Sequence, residues 1–154
     1  MNIINMVSKN FDGLDNVGRY LSMLILRFFI AFEFWESGVS KFNNENWFTS
    51  IQDDFPFPFS VIPTEISWFI STWTELAGAI ALALGLATRF TAVSFIILDI
   101  VAWTAVHGEH GYNVCSNGFK LPLIYLFMLM PIVFSGPGKV SADAWIKRRF
   151  FDHR

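Results

Sequence analysis

The stretch from Trp68 to His107, WFISTWTELAGAIALALGLATRFTAVSFIILDIVAWTAVH, contains Glu75, Arg89 and Asp99 as its only charged side chains. Each half approaches the roughly 20 apolar residues that a helix needs to cross the hydrocarbon of a bilayer. The spacing predicts helices over 68–87 and 90–107, joined by the short connection Thr88-Arg89. So brief a link predicts an antiparallel pair of neighbours. Two further apolar segments, about Tyr20 to Phe42 and Phe119 to Ser135, bring the number of expected spans to four. The expected fold is all-α, an integral membrane four-helix bundle.

The composition agrees. The 154 residues are 53% hydrophobic, 18% aromatic and only 16% charged, which places the chain among membrane proteins rather than soluble domains. The net charge of -2 and the lack of a basic surface with interleaved aromatics argue against nucleic acid as a partner. Met1 to Gly18 carries Asp12 and Asp15 and lacks an apolar core followed by a small-residue cleavage site, so it does not read as a cleavable signal peptide. Cys115 is the single cysteine, which excludes an intrachain disulfide and CxxC dithiol chemistry.

The expected organisation is a cytoplasmic N-terminal segment over 1–18, a transmembrane domain over 19–145 and a basic tail over 146–154. In the first loop, Pro56, Pro58 and Pro63 oppose a continuous helix, while Trp47, Phe55, Phe57 and Phe59 suit an interface. A short interfacial helix followed by an extended stretch is expected there. Lys9, Arg19, Arg89, Lys139, Lys147, Arg148, Arg149 and Arg154 fall on one side of the spans, with Lys41 and Lys120 on the other. By the positive-inside tendency both termini are cytoplasmic and the longer loops face the periplasm, giving a multi-pass protein of the bacterial cytoplasmic (inner) membrane. The tail KRRFFDHR reads as an anchor for anionic lipid or as a plain determinant of topology.

Charged side chains within apolar spans cost roughly 2.5 to 3.5 kcal/mol each on insertion scales and therefore mark candidate sites. Glu75 and Asp99 fall near the expected midplane, Glu33 slightly outward, Glu36 and His107 further out, and Arg27 inward. Relative to Glu33, Ser40 lies within about 20° around the helix, Ser37 within about 40° and Glu36 within about 60°, a polar stripe bordered by Arg27 and Lys41. Asp99, Trp103 and His107 are spaced by four and share a face. Four carboxylates facing one deep arginine leave a charge deficit, which either bound protons or a bound cation would settle. Catalytic or proton-handling roles are thus expected for Glu33, Glu36, Glu75 and Asp99, with Arg27, Trp35, Lys41 and Trp103 as candidate cofactor-binding residues. Alternatively, Glu33, Glu36, Glu75 and His107 ligate a divalent cation, for which carboxylate and imidazole suit manganese, iron or zinc. A structural reading, in which the acids merely fix helix register, stands beside both.

LRFFIAFEFWESGVSKF, with Arg27, Gly38 and Lys41, resembles the first helix of the DoxX family of small four-helix membrane proteins. TELAGAIALALGLATRFTA, with Glu75, Gly78, Gly85 and Arg89, is similar to that family's second helix and turn. SGPGKVSAD, with Gly136, Gly138, Ser141 and Asp143, is similar to its exit from helix four. The resemblance covers about Arg19 to Trp145, and WESGVSKF with FPFPFSVIP looks most like the branch found beside metal-responsive peptide systems. It implies a membrane bundle associated with quinone-linked redox complexes or with metal-binding peptides, and so a periplasmic or membrane redox or metal-handling partner. No haem or flavin motif is present, so a redox role would rest on quinone, on a metal or on a catalytic partner. A noncatalytic scaffold is the third expectation.

Overall fold

The computed structural model describes residues 3–150, and of residues 3–13, 16 and 19 the backbone alone. The described residues form five α-helices and no strand: α1 Ile3–Asn43, α2 Thr64–Leu84, α3 Thr88–Ala102, α4 Lys120–Ser135 and α5 Ala142–Phe150. α1 packs against α2 and α4, and α3 packs against α2 and α4. α2 and the continuous helical run Thr88–His110 are each long and apolar enough to cross a membrane, and Lys120–Ser135 is a shorter apolar helix. α1 and α4 overlap the other two apolar segments of the sequence.

Four local features extend or differ from the sequence expectations. α1 begins at Ile3 and runs unbroken, so most of the segment 1–18 continues the helix. At about 1.5 Å per residue its 41 residues extend roughly 60 Å, well beyond one bilayer thickness. The first loop holds no α-helix but three short 3-10 turns, Phe48–Ser50, Gln52–Asp54 and Phe59–Val61. Its prolines limit each helical attempt to a single turn. The basic residues Lys147, Arg148 and Arg149 belong to α5, while the tail residues 151–154 and Met1 and Asn2 lie outside the described residues. The third helix also loosens into a π-helical turn over Trp103–His107 and then a 3-10 turn over Gly108–His110.

The shared core joins Ile30 and Phe34 of α1, Ala79 and Leu82 of α2, Ala92 and Phe95 of α3, and Leu129 and Ile132 of α4. Phe34 and Phe95 stack at 3.9 Å with their planes 4° apart, which ties α1 to α3 through the centre. α1 also approaches α2 closely at Gly38, where a Cβ would lie 3.0 Å from the Leu76 side chain and 3.1 Å from Glu75 Cβ. Glycine there sets the distance between the two helices.

A polar clasp closes one end. α2 stops at Gly85, whose φ of 70° is a left-handed helix cap that glycine adopts without strain. After Leu86 and Ala87 α3 begins without a side-chain cap of its own, and Asp143 supplies one from α5. Its carboxylate accepts from the backbone N–H of Ala87 at 2.8 Å and of Thr88 at 2.9 Å, while its own N–H donates to Gly85 O at 2.9 Å. Arg27, 1% exposed, reaches the same end from α1 and donates to the carbonyls of Pro137, Val140 and Ala83.

Removing the Asp143 carboxylate strands two helix N-terminal donors. Asp143→Ala is expected to cost about 1–2 kcal/mol, read as a lowered thermal unfolding midpoint in detergent, with Asp143→Asn recovering part of the loss. An unchanged midpoint in the alanine variant would show that water replaces the cap.

Candidate functional site

At the opposite end from the clasp, polar side chains of all four long helices meet around a cavity of about 340 Å³. Its wall includes Glu33, Ser37 and Lys41 of α1, Glu75 of α2, Asp99 of α3, His107 of the π turn and Tyr125 of α4. The helical spacing explains why each element contributes. Glu33, Ser37 and Lys41 recur every four residues and share one face of α1, as do Asp99 and Ala102 with Val106 on the third helix.

Lys41 and Glu75 form the centre of this site. The ammonium donates to Glu75 Oε1 at 2.8 Å, to Glu75 Oε2 at 2.7 Å and to Ser37 Oγ at 2.9 Å, so all three of its N–H bonds are used. Both side chains are largely withdrawn from the surface, at 13% and 7% exposure. An enclosed pair of this kind holds only with such complete hydrogen bonding, because desolvation otherwise outweighs the attraction.

The remaining charge on the wall is acidic. Tyr125 O–H donates to Glu33 Oε2 at 2.5 Å, linking α4 to α1. Asp99 is 6% exposed, and its Oδ2 has no hydrogen-bond partner among the described residues. His107 Nδ1 lies 2.7 Å from Asn117 O. A carbonyl only accepts, so Nδ1 is the donor in this contact. Lys41 balances Glu75, which leaves the carboxyls of Glu33 and Asp99 without a cation on the cavity wall.

The other candidates lie elsewhere. Arg27 is spent on backbone carbonyls in the clasp and is not on the cavity wall. Trp35 is 42% exposed on the outer face of α1, beside Phe28, Phe32 and Ile80. Glu36 is exposed and off the wall, and Trp103 stacks on Phe119 at 5.4 Å instead of facing the cavity. Among the described residues no three His, Cys, Asp or Glu side chains gather closely enough to hold a metal ion. The expected set Glu33, Glu36, Glu75 and His107 is thus divided between the wall and the outer surface. Tyr125 has no counterpart in the sequence reasoning, since α4 lacks a charged residue near it and one tyrosine in an apolar helix carries no signal. Beside the cavity, which Trp47 lines, first-loop rings pack with Trp68 of α2: Trp47 and Phe48 meet edge-to-face at 5.0 Å, and Phe48 does the same with Trp68 at 4.9 Å and Phe55 at 5.1 Å.

Residues 22–108 match the family described as DoxX. A protein of uncharacterized function from Haemophilus influenzae is 50% identical over 135 residues, covering 88% of this chain and 89% of its own length. No solved structure matches. Most residues of the resemblance fall into the two polar ends of the structure, Arg27, Gly85, Ser141 and Asp143 in the clasp and Gly38, Lys41 and Glu75 at the cavity, while Gly78 lies between them against the core ring of Phe95. On the extent of the family match and of its relative, the chain is a membrane protein that belongs to the DoxX family.

Proposed function

We propose that this protein is a quinone-linked redox accessory of the bacterial cytoplasmic membrane, spanning it four times through α1–α4 with both termini inside. The cavity would be its proton-handling site, in the outer half of the bilayer, and a periplasmic or membrane protein its electron donor. The observation that carries the reading is the buried, unpartnered Asp99 carboxyl on the same wall as the Tyr125–Glu33 hydrogen bond and the Lys41–Glu75 pair.

The donor set fits such a ligand. A bound quinone supplies two-electron, two-proton chemistry, and its oxygens need hydrogen-bonding and proton-exchanging neighbours in surroundings that exclude bulk water. Asp99 and Glu33 hold protons at carboxyl oxygens, and Tyr125 fixes Glu33 through its hydroxyl. His107, half-buried beside the exposed Gly108–His110 turn, exchanges protons between the cavity and the outside through its ring nitrogen. Lys41 stays oriented by Glu75 and Ser37 and presents a fixed positive charge to an electron-rich ligand. The distribution of basic residues supports the orientation. Arg89, Lys139 and Lys147 surround the clasp end, whereas Lys41 and Lys120 lie toward the cavity end.

Topology is testable through the single cysteine. Cys115 is exposed in the loop between α3 and α4, so a membrane-impermeant maleimide applied to spheroplasts should label it. A cysteine placed at Trp145 in a Cys115→Ser background should react only after permeabilisation; the reverse pattern would invert the protein. The buried pair predicts strong asymmetry in unfolding experiments. Lys41→Met leaves Glu75 buried and unpaired and is expected to cost about 3–5 kcal/mol, while the double variant Lys41→Met/Glu75→Leu recovers most of it. Equal losses in the single and double variants would contradict the pairing. For function, protein extracted in native-lipid nanodiscs should carry about one quinone per chain by mass spectrometry. With an electrode standing in for the donor, Asp99→Asn should slow proton-coupled reduction roughly 100-fold. Quinone-free protein, or unaltered kinetics in that variant, would remove the redox reading.

A further inference from the structure

At the clasp end the surface opens into a groove of about 800 Å³. It runs between Met23 of α1, Arg89 and Phe90 of α3, Lys139 in the link after α4, and Asp143 and Lys147 of α5. Three cations against one carboxylate leave its wall with a surplus of positive charge. The Asp143 carboxylate is moreover occupied by the N–H groups of Ala87 and Thr88. Neither Arg89, Lys139 nor Lys147 pairs with a carboxylate among the described residues.

Local packing gathers these cations instead of letting them disperse. The Arg89 guanidinium lies against Gly136, where a Cβ would come 3.3 Å from Nη2 and 3.4 Å from Nε. Nη2 makes one long hydrogen bond, 3.4 Å to Phe134 O, and the group forms no other among the described residues. Lys139 Nζ stands 4.8 Å from the centre of the Tyr20 ring. Lys147 follows Asp143 by four residues and so shares its face of α5. Arg148 is different: it turns back to the carbonyls of Ala144 at 3.2 Å and Lys139 at 3.4 Å, and neither it nor Arg149 lines the groove.

Depth indicates the ligand. α2 ends at Leu84, α3 begins at Thr88 and α4 ends at Ser135, so the groove lies where the apolar helices stop. The 23-residue run Thr88–His110 extends about 35 Å, slightly more than the hydrocarbon of a bilayer, which sets Arg89 at headgroup level. Beside it Phe90 and Phe134, 76% and 75% exposed, present apolar surface to the surroundings. A phosphate with apolar chains attached matches both the charge and this surface, whereas a soluble phosphate matches the charge alone.

We propose that the groove is a discrete binding site for one anionic phospholipid, its phosphate held by Arg89, Lys139 and Lys147 and its chains lying along Phe90. Arg89 supplies the planar fork that meets two phosphate oxygens at once, and the two ammonium groups supply charge. A lipid seated there touches α1, α3 and α5 together and so braces the clasp. The site is separate from the quinone-linked reading and requires only that the chain lie in a membrane.

Native mass spectrometry of the full chain in detergent, titrated with dioleoylphosphatidylglycerol or with dioleoylphosphatidylcholine, tests the headgroup at constant chain length. Phosphatidylglycerol should bind roughly tenfold more tightly or better, and Arg89→Gln/Lys139→Gln should weaken it roughly 30-fold. Because Arg89 also meets Phe134 O, Lys139→Gln/Lys147→Gln is a second pair that leaves that contact intact and should lose as much. Arg148→Gln/Arg149→Gln removes the same charge outside the groove and should lose about threefold or less. Inorganic phosphate in large excess should leave the lipid bound. Equal binding of the two lipids, equal losses in the groove and control variants, or displacement by inorganic phosphate would each overturn the assignment.

Discussion

The Lys41–Glu75 ion pair is the interaction on which the rest of the site depends. Two charges withdrawn from water between apolar helices are stable together only when every donor is used, and Lys41 meets that condition with two oxygens of Glu75 and the hydroxyl of Ser37. The geometry demands that α1 and α2 run close at this level. Gly38 makes it possible, since any side chain there would press on Leu76 and on Glu75 itself. The pair lines both the polar cavity and the smaller, mostly apolar space beside it, so it belongs to both environments that any ligand would meet.

The second polar end has a different purpose. Arg27 and Asp143 bind backbone groups, carbonyls in one case and helix N-terminal amides in the other, and so convert loop ends into a fixed base for α1, α2, α3 and α5. Fixing one end leaves the helices free to carry less favourable chemistry at the other. Asp99 Oδ2 and Ser67 Oγ, both buried without partners among the described residues, belong to that end. Unpaired buried polar groups cost stability, and among the described residues the clasp carries two more of them, Arg27 Nε and Thr88 Oγ1.

Much of the fold was legible because hydropathy and length report directly on helices. The apolar runs of the sequence overlap α1–α4, and the connection between α2 and α3 is short and sets them side by side, although Thr88 and Arg89 lie in the first turn of α3 and the link itself is Gly85–Ala87. The loop was harder. Its prolines announced a break but not the three 3-10 turns that bury Phe48 and Phe55 beside Trp68. For the site, spacing by four correctly groups residues on a face but does not say what that face meets. Trp35 and Glu36 are on α1 like Glu33, yet separated from it by about 160° and 60° around the helix, and they turn outward. Arg27 looked like the counterion of the acids because its depth was judged along the helix, whereas its long side chain is drawn to the carbonyls of Pro137 and Val140, which no local pattern announces. Tyr125 and Ser67 carry ordinary hydroxyls whose importance comes only from the neighbours that tertiary packing provides.

The charged state and partner of Lys41 in a bilayer test the central claim most directly. Solid-state NMR of Nζ-labelled lysine in lipid bilayers, assigned by Lys41→Met, reads both at once. The expected spectrum shows an immobile ammonium close to a carboxylate carbon, a contact that disappears in Glu75→Gln. A neutral amine, or an ammonium whose surroundings are unchanged by that substitution, would contradict the pair and with it the account of the site built around it.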